Sequence, residues 1–114
     1  MISTANSCCD LTAALKKLDG DIDLLNDLAR LFVETLPDRI RDLDLAMKEG
    51  CPQKISDAAH SIKGSVRYFL AESAYEAAQK LEIACVSSAS ASVEFAYASL
   101  LTEVWTLQDE LLAL

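Results

Sequence analysis

Apolar residues recur at every third or fourth position along almost the whole chain, and this spacing constrains the fold more than any other feature. The longest such run contains Leu25, Leu28, Phe32, Leu36, Ile40, Leu43 and Met47. Because an α-helix has about 3.6 residues per turn, this spacing places the side chains along one helical face. No segment shows the alternation of apolar and polar residues that is typical of a half-buried strand, so no strand pattern competes with the helical one. The sequence therefore predicts an all-α protein.

Punctuating residues divide this pattern into four or five helical segments. A short first helix has Asp10 as its N-cap and Gly20 just past its end, which are residue types favoured at those positions. The second segment runs from about residue 21 to residue 49 and contains Pro37. Since proline lacks the amide hydrogen that an inner helical turn needs, we expect a kink or a break there.

The remaining helices follow the same pattern. Pro52 suits the first turn of the third helix, which runs to about Phe69. The fourth begins at about Glu72, and the polar stretch SSASAS, residues 87–92, predicts a connection before the last helix. The stripe of the last helix contains Val93, Tyr97, Leu100, Val104, Leu107 and Leu111. Its alternating steps of four and three residues favour a near-antiparallel helix bundle.

Composition and charge limit the class of protein. The 114 residues are 52% hydrophobic and 25% charged, with 3 Gly and 2 Pro, which predicts a single compact domain over residues 1–114. No run of 18 apolar residues and no signal-peptide pattern is present, so we expect a cytoplasmic protein that does not bind membranes. The net charge of -8 repels phosphate backbones, which argues against nucleic acid as a partner.

The cysteine spacing predicts no metal site. Cys8, Cys9, Cys51 and Cys85 form no C-x-x-C pair, and the chain has 1 His to assist them. We expect four reduced thiols that serve as small apolar residues. No glycine-rich phosphate-binding loop is present, so no nucleotide cofactor is expected.

The third helix has two distinct faces. Its apolar residues, all on one side at about 100° per residue, are Ile55, Ala58, Ala59, Ile62, Val66, Phe69 and Leu70. The opposite side carries one stripe of polar or small residues, namely Ser56, Asp57, His60, Lys63, Gly64 and Arg67. We add the neighbouring Tyr68 to the candidate binding residues. The core face is thus complete without the histidine.

His60 is the candidate reactive residue of this stripe. Neutral imidazole persists at cytoplasmic pH, so an exposed ring nitrogen can act as a nucleophile without a dedicated base. Lys63, one turn away, can place its ammonium against a phosphoryl group carried on the ring. Gly64 costs about 1 kcal/mol relative to Ala in mid-helix, and its missing side chain would let a partner's active site close over the imidazole. The pattern indicates a nucleophilic histidine presented to another protein.

Residues 59–82, AHSIKGSVRYFLAESAYEAAQKLE, resemble the signature of histidine-containing phosphotransfer (HPt) domains. The matching positions are Ala59, His60, Ser61, Ile62, Lys63, Gly64, Ser65, Leu81 and Glu82. The upstream segment LFVETLPDRIRDLDLAMKEG resembles the helix that precedes this signature, so the likeness covers about residues 10–112. The resemblance implies an up-down bundle of four antiparallel helices with a short N-terminal capping helix.

The resemblance also implies a function in two-component phosphorelays. His60 would accept a phosphoryl group through its Nε2 from the aspartate of a response-regulator receiver domain and donate it to another, with Lys63 neutralising its charge and Gly64 clearing the docking surface. The implied partners are a receiver domain, a hybrid sensor kinase or both. Such a carrier is not an enzyme, because the receiver supplies Mg²⁺ and the acidic pocket, and it needs no cofactor. We expect a monomer.

One position departs from the family pattern, and one has two possible roles. Leu70 stands where many HPt domains have Gly in the turn after the histidine helix, and leucine adopts a left-handed conformation only at a cost of about 1 kcal/mol or more. The geometry of that turn is therefore open. Arg67 is either a rim contact to an acidic receiver surface or merely solvated.

Other interpretations compete with phosphotransfer. The bundle could dock and regulate a receiver or kinase without carrying phosphate, although a degenerate member would be expected to lose its histidine first. An enzyme with His60 as general base would need an enclosed substrate pocket, which an outer helical face does not offer. A lone histidine is also often an ordinary surface or core residue.

Overall fold

The computed structural model describes residues 10–87 and 90–113, and almost all of them are helical. The α-helices are α1 (Leu11–Lys17), α2 (Ile22–Glu49), α3 (Pro52–Val66), α4 (Glu72–Ser87) and α5 (Ser90–Leu112). A single 3-10 turn, Arg67–Phe69, follows α3. The described residues contain no strand, so the predicted all-α class is confirmed. None of these helices is both long and apolar enough to cross a membrane.

Four helices surround one core. α2 packs against α3 and α5, and α4 packs against the same two helices, while α1 lies against α2 and the 3-10 turn. The largest fully buried side chains are Phe69, Leu36, Leu43, Ile62, Leu81, Leu100, Leu107, Val66 and Val104. The rings of Phe32 and Phe69 meet edge to face, with centroids 5.6 Å apart. Every residue of the predicted α2 stripe is buried or half-buried. The face of α2 that packs into the core is therefore the one predicted from the helical period.

The first two helices begin within one residue of the predicted positions and α2 ends at residue 49 as predicted, whereas α1 ends at Lys17, three residues before Gly20. Asp10 Oδ1 accepts a hydrogen bond from the amide of Ala13 at 3.0 Å, and Asp21 Oδ1 accepts one from the amide of Leu24 at 3.0 Å. Each carboxylate satisfies an amide that the first helical turn leaves without a partner. Gly50 ends α2 with φ 65° and ψ 29°, a left-handed conformation in which a β-carbon would add strain.

A kink or a break was predicted at Pro37, and no break occurs, because α2 continues through this residue. Its ring is exposed, while Leu36 and Ile40 on either side are buried in the core. An interior proline costs a helix about 3 kcal/mol. Burial of the apolar stripe before and after Pro37 offsets that loss, since each fully buried leucine or isoleucine contributes about 2 kcal/mol.

The predicted polar connection at residues 87–92 is largely helical. Ser87 ends α4 and residues 90–92 form the first turn of α5, while residues 88 and 89 lie outside the described residues. Serine is common at helix ends because its hydroxyl can bond to nearby backbone groups. Ser87 Oγ donates such a bond to the carbonyl of Ala84 at 2.9 Å. A run of serines therefore marks helix ends here and does not define the length of the connection.

Leu70 adopts the left-handed conformation that glycine usually provides, with φ 50° and ψ 42°. This conformation costs a leucine about 1 kcal/mol or more. The half-buried side chain packs against the core, which offsets part of that cost. The turn lets α4 pack along α3, and this packing brings an α4 side chain beside the polar stripe of α3.

Candidate functional site

α3 presents His60 to solvent on the side opposite its buried face. The side chain of His60 is 71% exposed, whereas Ile62 and Val66 have no exposed surface. An imidazole in this position contributes little to the core. It can also be reached by a group on a second protein.

Glu82 of α4 contacts two basic residues of the α3 stripe, Lys63 and His60. Its Oε1 lies 2.9 Å from Nζ of Lys63, and its Oε2 lies 3.5 Å from Nδ1 of His60. The side chains of Glu82 and Lys63 are 21% and 17% exposed, so water screens their attraction less than it does for a surface pair. We call His60, Lys63 and Glu82 the Glu82 cluster.

Lys63 is directed toward α4 and away from solvent. Its ammonium lies 5.6 Å from the centroid of the Tyr75 ring, within the range of a cation–π contact. Together with the carboxylate of Glu82, the ring holds the ammonium in a mostly buried place between α3 and α4. The sequence placed Lys63 one turn from His60, and the structure adds that its charge is already paired.

The carboxylate of Glu82 biases the imidazole of His60 electrostatically. A negative charge on the Nδ1 side favours the tautomer with its proton on Nδ1, which leaves the lone pair on Nε2 free. The distance of 3.5 Å is longer than a normal hydrogen bond, so the bias is weaker than a direct bond would give.

Gly64 is not required by the fold. A β-carbon built on it would meet no atom within 4 Å, and its φ is not in the left-handed region. Within the described residues, no close contact or backbone conformation explains its penalty of about 1 kcal/mol relative to Ala. The open space at Gly64 lies one turn after His60, on the same exposed face of α3.

The other predicted site residues are spread along α3 and its end. Arg67 begins the 3-10 turn and is exposed, as is Tyr68 at 57%. Asp57 is exposed and accepts a hydrogen bond from Nε2 of Gln53 at 2.9 Å, and Ser56 is half-buried. Within the described residues, none of these side chains bonds to the imidazole. The structure thus brings Lys63 and Glu82 close to His60, whereas the other predicted site residues lie on the surface around this group.

Comparison with known families decides what kind of chain this is. The family model described as the Hpt domain matches residues 27–114, a span that includes the whole Glu82 cluster. The chain belongs to the Hpt domain family. No curated protein and no solved structure matches it significantly. As an Hpt domain it is a phosphotransfer module of two-component signalling, a carrier rather than a true enzyme, and it interacts with response-regulator receivers or kinases.

Sequence reasoning missed two contacts near the histidine of this Hpt domain. Glu82 matched the family signature, but nothing in its position on α4 showed that it would reach α3. Arg39 of α2 donates a hydrogen bond to Oγ of Ser61, the residue after His60. For Glu82, the only signal in the sequence was the final L-E pair of the signature, which identifies the residue but does not indicate its role.

The described cysteines of the Hpt domain are free thiols. Cys85 is buried and Cys51 is half-buried, while Cys8 and Cys9 lie outside the described residues. Burial raises the pKa of the Cys85 thiol, and the charge of Glu82 raises it further. A thiol that stays neutral suits a small apolar role in the core. Over residues 10–87 and 90–113, no group of three or more His, Cys, Asp and Glu side chains could hold a metal ion.

Proposed function

We propose that this Hpt domain carries a phosphoryl group on Nε2 of His60, taking it from and giving it to the aspartate of response-regulator receiver domains. One observation carries the proposal. An imidazole that is 71% exposed shares a carboxylate with a mostly buried lysine. Exposure makes the nucleophile available to a partner, and Lys63 provides a positive charge within one helical turn.

The transfer requires little chemistry from the chain itself. The lone pair on Nε2 attacks phosphorus, a nitrogen–phosphorus bond forms, and the bond from phosphorus to the aspartate oxygen breaks, releasing a carboxylate. The ring keeps its Nδ1 proton and becomes positively charged. Lys63 neutralises charge on the phosphoryl oxygens. The receiver supplies Mg²⁺ and the acidic pocket around its aspartate.

The surface around His60 suits docking of a receiver. Gly64 leaves space for the partner's active site to approach the ring in line with the phosphoryl group. Arg67 and Tyr68 lie exposed beyond Gly64, while Ser56 and Asp57 lie one turn before His60. We assign these four residues to the rim of the docking surface, where charged and polar groups act mainly on the rate of association.

Labelled phosphate transfer tests the proposal. Receiver domains charged with acetyl phosphate are mixed with the wild-type chain and with His60→Gln, and acid-labile label on the chain is measured. We expect uptake by the wild type and none by His60→Gln. The variant should keep the wild-type helical content and melting temperature, because the exposed imidazole packs against little.

The outcome separates the competing functions. A His60→Gln variant that still took up label would place the acceptor on another residue. A wild-type chain that bound receivers without taking up label would instead be an interaction module that docks and regulates without carrying phosphate.

A further inference from the structure

Glu82 contacts the same ammonium that a phosphoryl group on His60 would need. We infer that Glu82 sets how strongly His60 holds its phosphoryl group, because its carboxylate occupies Lys63 whenever the phosphoryl group is absent. The inference rests on the proposed function of His60. It makes Glu82 a positioning residue that acts through Lys63.

The resting chain already has an anion in contact with Lys63. Nζ of Lys63 lies 2.9 Å from Oε1 of Glu82, and both side chains are about four-fifths buried. The carboxylate oxygen Oε1 is itself buried and accepts no hydrogen bond within the described residues, so its contact with Lys63 is an ion pair. Over those residues, Lys63 is therefore the charge that compensates this oxygen.

Phosphorylation places a second and larger negative charge beside the same lysine. A phosphoryl group carries a charge of about -2 near neutral pH. If the ammonium turns to the phosphoryl oxygens, the carboxylate of Glu82 is left buried without its counter-charge. If the ammonium stays with Glu82, the phosphoryl charge is not neutralised. In both cases Lys63 stabilises the phosphorylated state by less than it could without Glu82.

Glu82 also has an effect of opposite sign, which the geometry shows to be smaller. Its charge stabilises the positively charged ring of phosphorylated His60, which favours phosphorylation. That contact is 3.5 Å long and reaches a side chain that is 71% exposed, whereas the contact with Lys63 is 2.9 Å long and mostly buried. Attraction between charges weakens with distance and with exposure to water. The competition for Lys63 therefore dominates, and a loosely held phosphoryl group is easily passed on.

An equilibrium measurement tests the inference. A labelled receiver and the chain are allowed to exchange phosphate, and the equilibrium constant for phosphorylation of His60 is compared among wild type, Glu82→Gln and Glu76→Gln. We expect Glu82→Gln to raise the constant by about three- to fivefold, the effect of removing one ion pair. Glu76 is an exposed carboxylate of the same helix without a contact to His60 or Lys63, so Glu76→Gln should leave the constant unchanged.

Repeating the Glu82→Gln substitution in a Lys63→Ala variant separates an effect of Glu82 through Lys63 from a direct effect of Glu82 on the imidazole. In Lys63→Ala, the change Glu82→Gln should no longer raise the equilibrium constant. If it raised the constant there as much as in the wild type, or if it lowered the constant or left it unchanged in the wild type, the inference would be overturned. Melting curves of each variant verify that the bundle is folded.

Failure of the proposed function would appear separately. If no receiver labels the wild type, that proposal fails, and phosphoramidate can then phosphorylate histidine directly. The inference predicts slower loss of phosphate from the Glu82→Gln phosphohistidine than from the wild type. Equal or faster loss would overturn it.

Discussion

Two half-buried carboxylates each connect neighbouring helices of this Hpt domain, and their partners differ. Asp44 of α2 accepts a hydrogen bond from the hydroxyl of Tyr97 on α5. Burial raises the pKa of Tyr97 to about 12, and the hydrogen bond and charge of Asp44 add to the shift. Glu82 of α4 instead contacts two basic side chains of α3, and one of them is largely exposed.

The difference separates a contact between two helices of the bundle from one that lies at the phosphorylation site that we propose. Tyr97 stays neutral over the physiological range, and the phenol gains nothing by leaving Asp44. Lys63 lies one turn from the exposed imidazole that we propose as the nucleophile, so a phosphoryl group arriving there can draw its side chain away from Glu82. A half-buried carboxylate is therefore a candidate for function when its partner cation has a second anion within reach.

The largest expected effect is on the rate of phosphate transfer, which should differ between variants of the Glu82–Lys63 contact and of the Asp44–Tyr97 contact. Lys63→Ala should slow phosphate transfer to His60 by about tenfold or more, because the phosphoryl oxygens lose a counter-charge. Tyr97→Phe should leave the rate unchanged, since its contact is between α2 and α5. Initial rates of label transfer from a charged receiver measure both. Equal losses in the two variants would mean that the contacts do not differ in function.

Gly64→Gln should reduce transfer by roughly tenfold, because a side chain beside the imidazole obstructs the in-line approach. The variant should remain folded, since a β-carbon at this position meets no atom within 4 Å. Label transfer and a melting curve measure the two effects. Transfer at the wild-type rate would show that the docking surface does not need the glycine.

Tyr97→Phe should lower the free energy of unfolding by about 1 kcal/mol near pH 8, because Asp44 loses its donor. Since the folded-state pKa is raised from 10.0 to about 12, the contribution of the neutral phenol is complete below pH 10 and is lost as the pH rises to 12. Urea unfolding of wild type and variant at both ends of this range measures the difference. A gap between the two curves that stays constant with pH would contradict this assignment.

The smallest expected effect is a gain in stability. Gly64→Ala should leave the melting temperature equal or raise it, by up to about 1 kcal/mol in free energy of unfolding, because alanine has the higher helix propensity. Thermal unfolding measures it, and Gly50→Ala provides a contrast, since its φ of 65° makes a β-carbon unfavourable. If Gly64→Ala unfolded the protein, the glycine would serve packing and would leave the candidate site.

The sequence by itself determined the helices and the exposed face of α3. The apolar spacing, the caps at Asp10 and Asp21 and the stop at Gly50 all depend on groups within about four residues of one another. His60 was placed opposite the buried face by the same local rule, since the helical period sets which side chains point away from an apolar stripe. The motif around it was also sufficient to indicate the family, which the match over residues 27–114 confirms.

Local signals failed where burial overrode them or where a contact joined two helices. A proline predicted a kink or a break in α2, but the helix is continuous, because the buried stripe on both sides holds it together. A run of serines predicted a connection that is mostly helical. The left-handed turn at Leu70 forms although leucine disfavours it, because the core accepts its side chain.

The pairing of Lys63 with Glu82 was decided by the tertiary structure alone. A sequence period assigns each side chain to a face of its own helix, but it does not determine how far α4 is rotated about its axis against α3. That rotation depends on how the buried stripes of both helices fit into one shared core. Only this packing brings the carboxylate of Glu82 into contact with both Lys63 and His60, the nucleophile that we propose.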